Sequence, residues 1–413
     1  MNPSHPQQRS QLKVLNRRVF GSGVAAASIG LIAAPALAQT SNAPKLRLGV
    51  IGCGGRGTWI AKLFAAHGGY EVVAAADYFE DRVNSFGDAL KVSASRRHTG
   101  LSGYKKMLDD PHLDAVAIES PPYFHPQQAE DAVEAGKHVY LAKPIAVDVP
   151  GCKSVEQSGK KATAKGLCFL VDFQTRANTY FQEAIKQVHE GAVGKFAFGE
   201  STYHAGIPWK GQIVAAASGT PEDQLRAWGL NRILSGDIIT EQNIHTLDVA
   251  SWIMNAAPES AFGTGGQKVR DFGSCWDTFS VIFNYADNIG ITFSSRQFDG
   301  HGSEPEGIRN RMFGSEGVLE TAYGGQVQIR GEHAYEGGSS PGIFKEGAVT
   351  NIATFYDQIQ NKDCSNSTVP ESVRSNLTTI LGRTAAYQGR VVTWKEIMQN
   401  AEPWLINLTG LKT

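Results

Sequence analysis

The segment Gly52-Cys53-Gly54-Gly55-Arg56-Gly57 spaces three glycines as G-x-G-x-x-G, a pattern that can cradle phosphate. Glycine at 52 permits a tight turn, and glycine at 54 lets backbone approach a pyrophosphate. Glycine at 57 lets a helix pack closely on a strand. Gly55 and Arg56 complete the turn, where a helix N-terminus offers free N–H groups and partial positive charge. Glycine-rich turns are common, so the neighbours decide. Residues 45–51 read as a buried parallel strand and 58–66 as a helix. A second strand at 71–76 ends in Asp77, at the spacing of about 20 residues expected for a ribose-binding acid. A carboxylate there accepts both adenosine ribose hydroxyls and repels a 2′-phosphate, which favours NAD over NADP. The competing role for Asp77 is an N-cap of a helix at 80–90.

The elements that must position this turn continue the alternation. A strand at 115–119 leads into Ser120-Pro121-Pro122 and a helix at 126–135. A strand at 138–141 ends at Ala142-Lys143-Pro144, followed by a helix at 151–165 and a strand at 167–171. Such a βαβ series predicts a Rossmann-type, doubly wound parallel sheet with ligands at the carboxyl ends of its strands, where Pro121 and Lys143 fall. After residue 172 the pattern changes. Helices are expected at 178–190, 239–255, 344–360 and 372–388, and strands at 196–204, 260–263, 278–285, 289–296, 311–313 and 318–321, with a loop at 205–222. Runs of strands after one helix predict an α+β domain with an open, mostly antiparallel sheet. The division is then a dinucleotide-binding domain at 45–172, a substrate and oligomerisation domain at 173–390 and a tail at 391–413.

Arg9, Lys13, Arg17 and Arg18 precede an apolar, Ala-rich run at 24–36 and the small-residue site Ala36-Leu37-Ala38. This is the form of an export signal, 1–38, with a buried helix or a simple secretory signal as the plainer alternatives. Asn16-Arg17-Arg18-Val19-Phe20 resembles the twin-arginine motif, which implies the Tat machinery as partner, export of an already folded chain, and a periplasmic or secreted location. The apolar run is too short for a stable membrane anchor. The balance of 39 Lys+Arg against 40 Asp+Glu over 413 residues gives no reason to expect a nucleic-acid partner. Five cysteines at irregular spacing, without CxxC, describe neither a disulfide framework nor a zinc site, and no metal is expected.

The glycine turn, Glu134-Ala135-Gly136-Lys137-His138-Val139, the Lys143-Pro144 pair and the segment around His245 together resemble the Gfo/Idh/MocA (glucose-fructose oxidoreductase / inositol dehydrogenase) family over essentially the whole mature chain. The resemblance implies a sugar or polyol substrate, a catalytic Lys143, and a second-domain acid followed four residues later by a histidine, here Glu241 and His245. It also implies a homodimer or homotetramer packed through the open sheet. Two positions depart from the family pattern. Ala142 stands where the Glu-Lys-Pro motif has its Glu, and Glu241 replaces an Asp.

The chemistry follows from the groups. A His base takes the hydroxyl proton as the carbon loses hydride, and the Lys143 ammonium stabilises charge on oxygen. Glu241 and His245, at i and i+4, are expected on one helix face so that the carboxylate orients the ring, with Asp248 on the same side. Pro121 and His125 are implied to line the cofactor cleft. Arg176, Arg226 and Trp228 are candidate substrate contacts, against a surface salt bridge for Arg176 and a core position for Trp228. Outside the cytoplasm free NAD is not supplied, so a tightly bound cofactor must be reoxidised in place. Either a second carbonyl compound is reduced, or the sugar is oxidised, cleaved by elimination and re-reduced, as an NAD-dependent glycosidase or lyase would do. A non-catalytic nucleotide-binding protein is the third reading.

Overall fold

The computed structural model describes residues 45–399 and 401–413; the export signal read at 1–38 lies outside them. The first half alternates as expected. It runs β1 (Leu46–Ile51), α1 (Gly55–His67), β2 (Tyr70–Asp77), α2 (Glu80–Leu90), β3 (Arg97–Thr99), α3 (Gly103–Leu108), β4 (Ala115–Ile118), α4 (His125–Glu134), β5 (His138–Ala142), α5 (Val149–Ala164) and β6 (Phe169–Asp172). The six strands pair in parallel in the order β3-β2-β1-β4-β5-β6, which places the switch point between β1 and β4. β4 is buried on both faces (Ala-Val-Ala-Ile), as a central parallel strand must be.

The second half runs α6 (Thr179–His189), β7 (Phe196–Ala205), α7 (Ile213–Ala216), α8 (Pro221–Arg226), α9 (Arg232–Ser235), α10 (Asp237–Glu241) and α11 (Ile244–Met254). It continues with β8 (Ser260–Gly266), β9 (Thr278–Asn284), β10 (Gly290–Gln297), β11 (Gly307–Gly314), β12 (Gly317–Ala322), β13 (Gln326–Gly331) and β14 (Tyr335–Ser339). α12 (Ile343–Asn361), α13 (Thr368–Gln388), β15 (Val392–Thr393) and α14 (Trp394–Gln399) complete it. Nine strands form one sheet in the order β14-β13-β12-β11-β7-β10-β9-β8-β15, antiparallel except for the β7–β10 pair. β9 alternates inward Phe279, Val281 and Phe283 with outward Ser280 and Ile282, so one face packs on the helices and the other is open.

Two late helices tie the sheets together. α12 packs on α1, and its Ala348, Ile352 and Phe355 join Leu48, Val50, Phe64 and Tyr140 in the core of the first sheet. α13 lies between α5 and strands β8 and β9. Its Asn376 accepts from Ile145 N and donates to Ala146 O, each at 3.1 Å, and its buried Arg383 donates to Val147 O and Gly236 O. The loop after Lys143 is therefore held by a helix more than two hundred residues away in sequence.

Several expectations need correction. The helix read at 239–255 is two helices, α10 and α11, broken at Gln242 and Asn243 although neither is Gly or Pro. The Gln242 side-chain oxygen accepts from Gln297 Nε2 across the break. The loop read at 205–222 contains α7 and the start of α8. Strands β3, β13, β14 and β15 lie outside the strands read from the sequence; β3 and β15 have only three and two residues, and β14 is Gly-containing and polar. Among the described residues four of the five cysteines are buried, and the Cys168 and Cys364 thiols face each other at 3.0 Å. No described helix is long and apolar enough to cross a membrane.

Candidate active site

The glycine turn has the backbone its spacing implied. Gly52 has φ +96°, and a Cβ there would stand 2.5 Å from the Glu119 carbonyl carbon. A Cβ on Gly57 would run into the Gly52 carbonyl oxygen. Gly54 is the N-cap of α1 and no side chain caps it, so the first N–H groups of the helix face the turn unpaired. Helix α1 begins at Gly55, earlier than the 58 read from the sequence, which brings its terminus into the turn itself.

A cleft of about 760 Å³ runs along this turn, lined by Gly52 to Thr58, Asp77 and Phe79 on one side and Glu119 to Pro121 on the other. Asp77 ends β2 and accepts hydrogen bonds from Cys53 N (2.7 Å) and Phe79 N (2.9 Å). It does not cap α2, whose N-cap is Phe79 without a side-chain bond. Burial raises its pKa, opposed by those N–H bonds and by Arg82. A carboxylate bonded twice keeps lone pairs for two ribose hydroxyls. The unpaired N–H groups, the glycine cradle and this acid fit a dinucleotide. Replacing Asp77 by Ser removes the acceptor and leaves Arg82 beside it. The expected result is at least tenfold weaker NAD binding and a gain in NADP binding, read by titration with both nucleotides.

Trp209, Gln212, Leu225 and Trp228 close the adenosine end from the second half of the chain. Arg226 pairs with Asp81 and lies 4.0 Å over the Phe79 ring. Tyr78 Oη donates to Glu222 at 2.7 Å. Residues 401–413 add to this cover. Ile406, Leu408 and Leu411 pack with Phe79, Tyr78 and Trp228, and Leu101 N donates to Lys412 O at 2.9 Å. Of the two candidate substrate contacts, Trp228 lines this cleft, and Arg226 stands behind it on Asp81 and Phe79.

Lys143 and His245 lie close enough to the cleft residues Glu119 and Arg56 to act on them or feel their charge. Lys143 follows β5 and donates from Nζ to the Glu241 carbonyl (2.6 Å) and to Glu241 Oε1 (3.0 Å). Two of three N–H donors are used, leaving one for a ligand. α10 is aimed by Gly236 and Asp237. Asp237 is buried at φ +66° and anchored by Trp276 N and Tyr387 Oη. His245 opens α11, borders Tyr323 (ring centroids 5.4 Å apart), and keeps part of its surface open while its Nδ1 is buried without a partner. Burial first, then the Lys143 and Arg56 cations, hold its pKa well below the usual imidazole value. The helix break separates Glu241 from His245, so the expected Glu–His pairing is replaced by Glu241 bound to Lys143.

Other expected residues play different parts. His125 is buried with Nδ1 2.8 Å from Pro144 O and Nε2 2.7 Å from Ser120 O, and burial lowers its pKa to about 4. It ties the Pro121 loop to the Lys143-Pro144 turn and is absent from the cleft lining. Arg176 is committed to Asp248 (2.9 Å) and Glu371 (2.6 Å) and stacks on Trp252. Asp248 is thereby engaged by Arg176 and, through Oδ1, by Ser375.

Sequence reasoning missed Glu119 and Asp172. Both flank Arg56, whose Nε lies 3.1 Å from Glu119 Oε2 and whose Nη2 binds Asp172. Burial alone would lower the Arg56 pKa, but these two acids raise it. Burial lifts the Glu119 carboxyl to about 7, against the pull of Arg56 and Lys143 and with Asp172 adding to the rise. Buried polar atoms without partners also occur at Asn243, Gln174 and Thr175, on the segments bordering these groups. No group of potential metal ligands occurs among the described residues.

Residues 46–173 match the family model described as "Oxidoreductase family, NAD-binding Rossmann fold", and 181–320 match the "GFO/IDH/MocA C-terminal domain". Together these spans exceed half of the chain, and it belongs to the Gfo/Idh/MocA family of oxidoreductases, with an NAD-binding first domain. Among relatives, the myo-inositol 2-dehydrogenase of Thermotoga maritima is 25% identical over 256 residues, 61% of this chain and 69% of that protein. The 1,5-anhydro-D-fructose reductase of Ensifer adhaerens is 23% identical over 321 residues, 72% of this chain and 90% of that protein. The fold matches scyllo-inositol dehydrogenase from Lactobacillus casei, solved with bound NAD(H) and scyllo-inositol, at a TM-score of 0.65 and 18% identity, covering 85% of this chain and 99% of that one.

Proposed function

We propose that this protein is an exported oxidoreductase that retains its nicotinamide cofactor and moves hydride to and from a hydroxyl-bearing carbon of a sugar or polyol. The observation that supports this reading is that Lys143, with a free N–H donor, and His245, with its pKa held low, interact respectively with the charges of Glu119 and Arg56, which line the cleft. The relatives named for inositol and anhydrofructose support the substrate class. When bound, the cofactor supplies a hydride acceptor and donor. His245 takes the hydroxyl proton, Lys143 hydrogen-bonds the same oxygen, and Glu241 fixes Lys143. The residues covering the adenosine end, 209–228 and 401–413, support slow cofactor release, and the twin-arginine pattern supports export with the cofactor inside. Phe198, Phe262 and Ile282, each nearly half exposed on or beside the open sheet face, support a second copy of the chain covering it.

Protein made through its native export route is expected to carry NAD(H), read by absorbance and mass spectrometry; a nucleotide-free product removes the retained-cofactor reading. Incubation with sugars then separates the chemistries. A keto-sugar or lactone with a reduced partner indicates exchange. A released aglycone without net reduction indicates elimination, and no product with any sugar returns the chain to nucleotide binding alone.

A lowered histidine pKa means the ring stays unprotonated as pH falls. The rate of hydride transfer is therefore expected to hold through pH 6.5, where an ordinary histidine base would lose half its activity. Replacing His245 by Ala should slow the step about 10²- to 10⁴-fold with bound cofactor unchanged. A rate near that of the unaltered protein would remove His245 as base.

A further inference from the structure

The ends of three adjacent strands form a row of side-chain positions beside the glycine turn. Ile118 of β4 pairs with Leu141 of β5, so Glu119 comes next to Ala142, and Ala142 pairs with Asp172 of β6. The row reads carboxylate, methyl, carboxylate. Arg56 reaches from the turn to both acids. Ala142 is the position at which the family's motif places its own carboxylate. Resting on the dinucleotide reading, we propose that Glu119 supplies that missing carboxylate from β4, accepting the hydroxyls of the ribose on the nicotinamide side of the cofactor.

Topology assigns the half of the ligand. β1 lies between β2 and β4, so Asp77 and Glu119 stand on opposite sides of the turn that holds the pyrophosphate. With Asp77 placed for the adenosine ribose, the second ribose falls on the β4 side. Glu119 lines the cleft with its side chain buried in protein, and its Oε1 has no hydrogen-bond partner. Its Oε2 faces Arg56 Nε at 3.1 Å, an ion pair that engages one oxygen and leaves Oε1 without a partner. A buried carboxylate in that state has lone pairs to offer to a ligand. The groups facing it are Arg56 from α1, Lys143 from the end of β5, Asp172 from β6 and Tyr140 within β5.

The test compares NADH with ADP, which lacks the nicotinamide half, by calorimetric titration of the full-length protein freed of copurifying nucleotide. Titrations are run at pH 8, where a carboxyl lifted to about 7 is ionised. Glu119→Gln is expected to weaken NADH ten- to a hundredfold while ADP stays within about twofold. Adding Ala142→Glu to that variant is expected to recover part of the NADH affinity. NADH affinity unchanged in Glu119→Gln overturns the proposal. So does equal weakening of NADH and ADP, which describes a residue that only supports the turn, and so does a complete lack of recovery in the double variant. If the unaltered protein binds neither nucleotide, the dinucleotide reading itself has failed, a result distinct from all of these.

Discussion

Replacing Lys143 by methionine is expected to slow hydride transfer about 10³-fold or more in single turnover while the cofactor remains bound. Methionine keeps much of the length and apolar stem but removes the ammonium. In the proposed mechanism the one N–H donor left free by Glu241 meets charge developing on the substrate oxygen, and the Lys143 and Glu241 side chains are each only 10% exposed. There a hydrogen-bond donor is worth far more than in water. The substitution also leaves the buried Glu241 carboxylate without its cation, so part of the loss is repulsion of a sugar hydroxyl's developing charge. Glu241→Gln separates the two effects. It preserves an acceptor for Lys143 at Oε1 and the backbone carbonyl contact, and should cost well under the loss seen at Lys143. The rate is read from nicotinamide absorbance after mixing holoenzyme with sugar. A methionine variant within tenfold of the unaltered rate would remove Lys143 from the chemistry.

The second large effect belongs to Gly57. Valine there must push a Cβ into the Gly52 carbonyl, so α1 and β1 must separate or the turn must change shape. Either outcome displaces the N–H groups that meet the pyrophosphate. NADH affinity is expected to fall at least a hundredfold, with a lowered melting temperature. Gly55 is the internal control, because a Cβ at that position meets nothing within 4 Å. Gly55→Ala should melt within about 0.5 kcal/mol of the unaltered protein. Similar destabilisation at both positions would show that the turn tolerates no side chain anywhere and would void the packing argument for Gly57.

The parts of this site legible in the sequence are those whose information is local. Gly52, Gly54 and Gly57 are read from backbone demands within six residues, and Asp77 from a fixed strand–helix–strand length. Lys143 is read from a strand end, since parallel strands put ligands there. Glu119 and Asp172 were not legible, because their meaning arises from the register of β4, β5 and β6 and from an arginine arriving from α1. The Glu241–His245 spacing pointed to one helix face, but the chain breaks between them at Gln242, held by Gln297 from a strand 55 residues on. Arg176 offered a charge near a strand end with no signal that Asp248 and Glu371 would claim it. Short helices and short polar strands such as α7, β3 and β14 escaped for a simpler reason, that a few residues show too little periodicity to count.

The covering of the first sheet by α12 has a consequence for the order of events at the ribosome. Tyr70 Oη donates to Ile352 O at 3.0 Å, and Phe355 fills the space beside Phe64 and Tyr140. Until residues 343–361 have been made, that flank of the first sheet has no cover for Phe64, Tyr70 and Tyr140, so the amino-terminal unit completes its core only when a segment from near the far end of the chain has arrived.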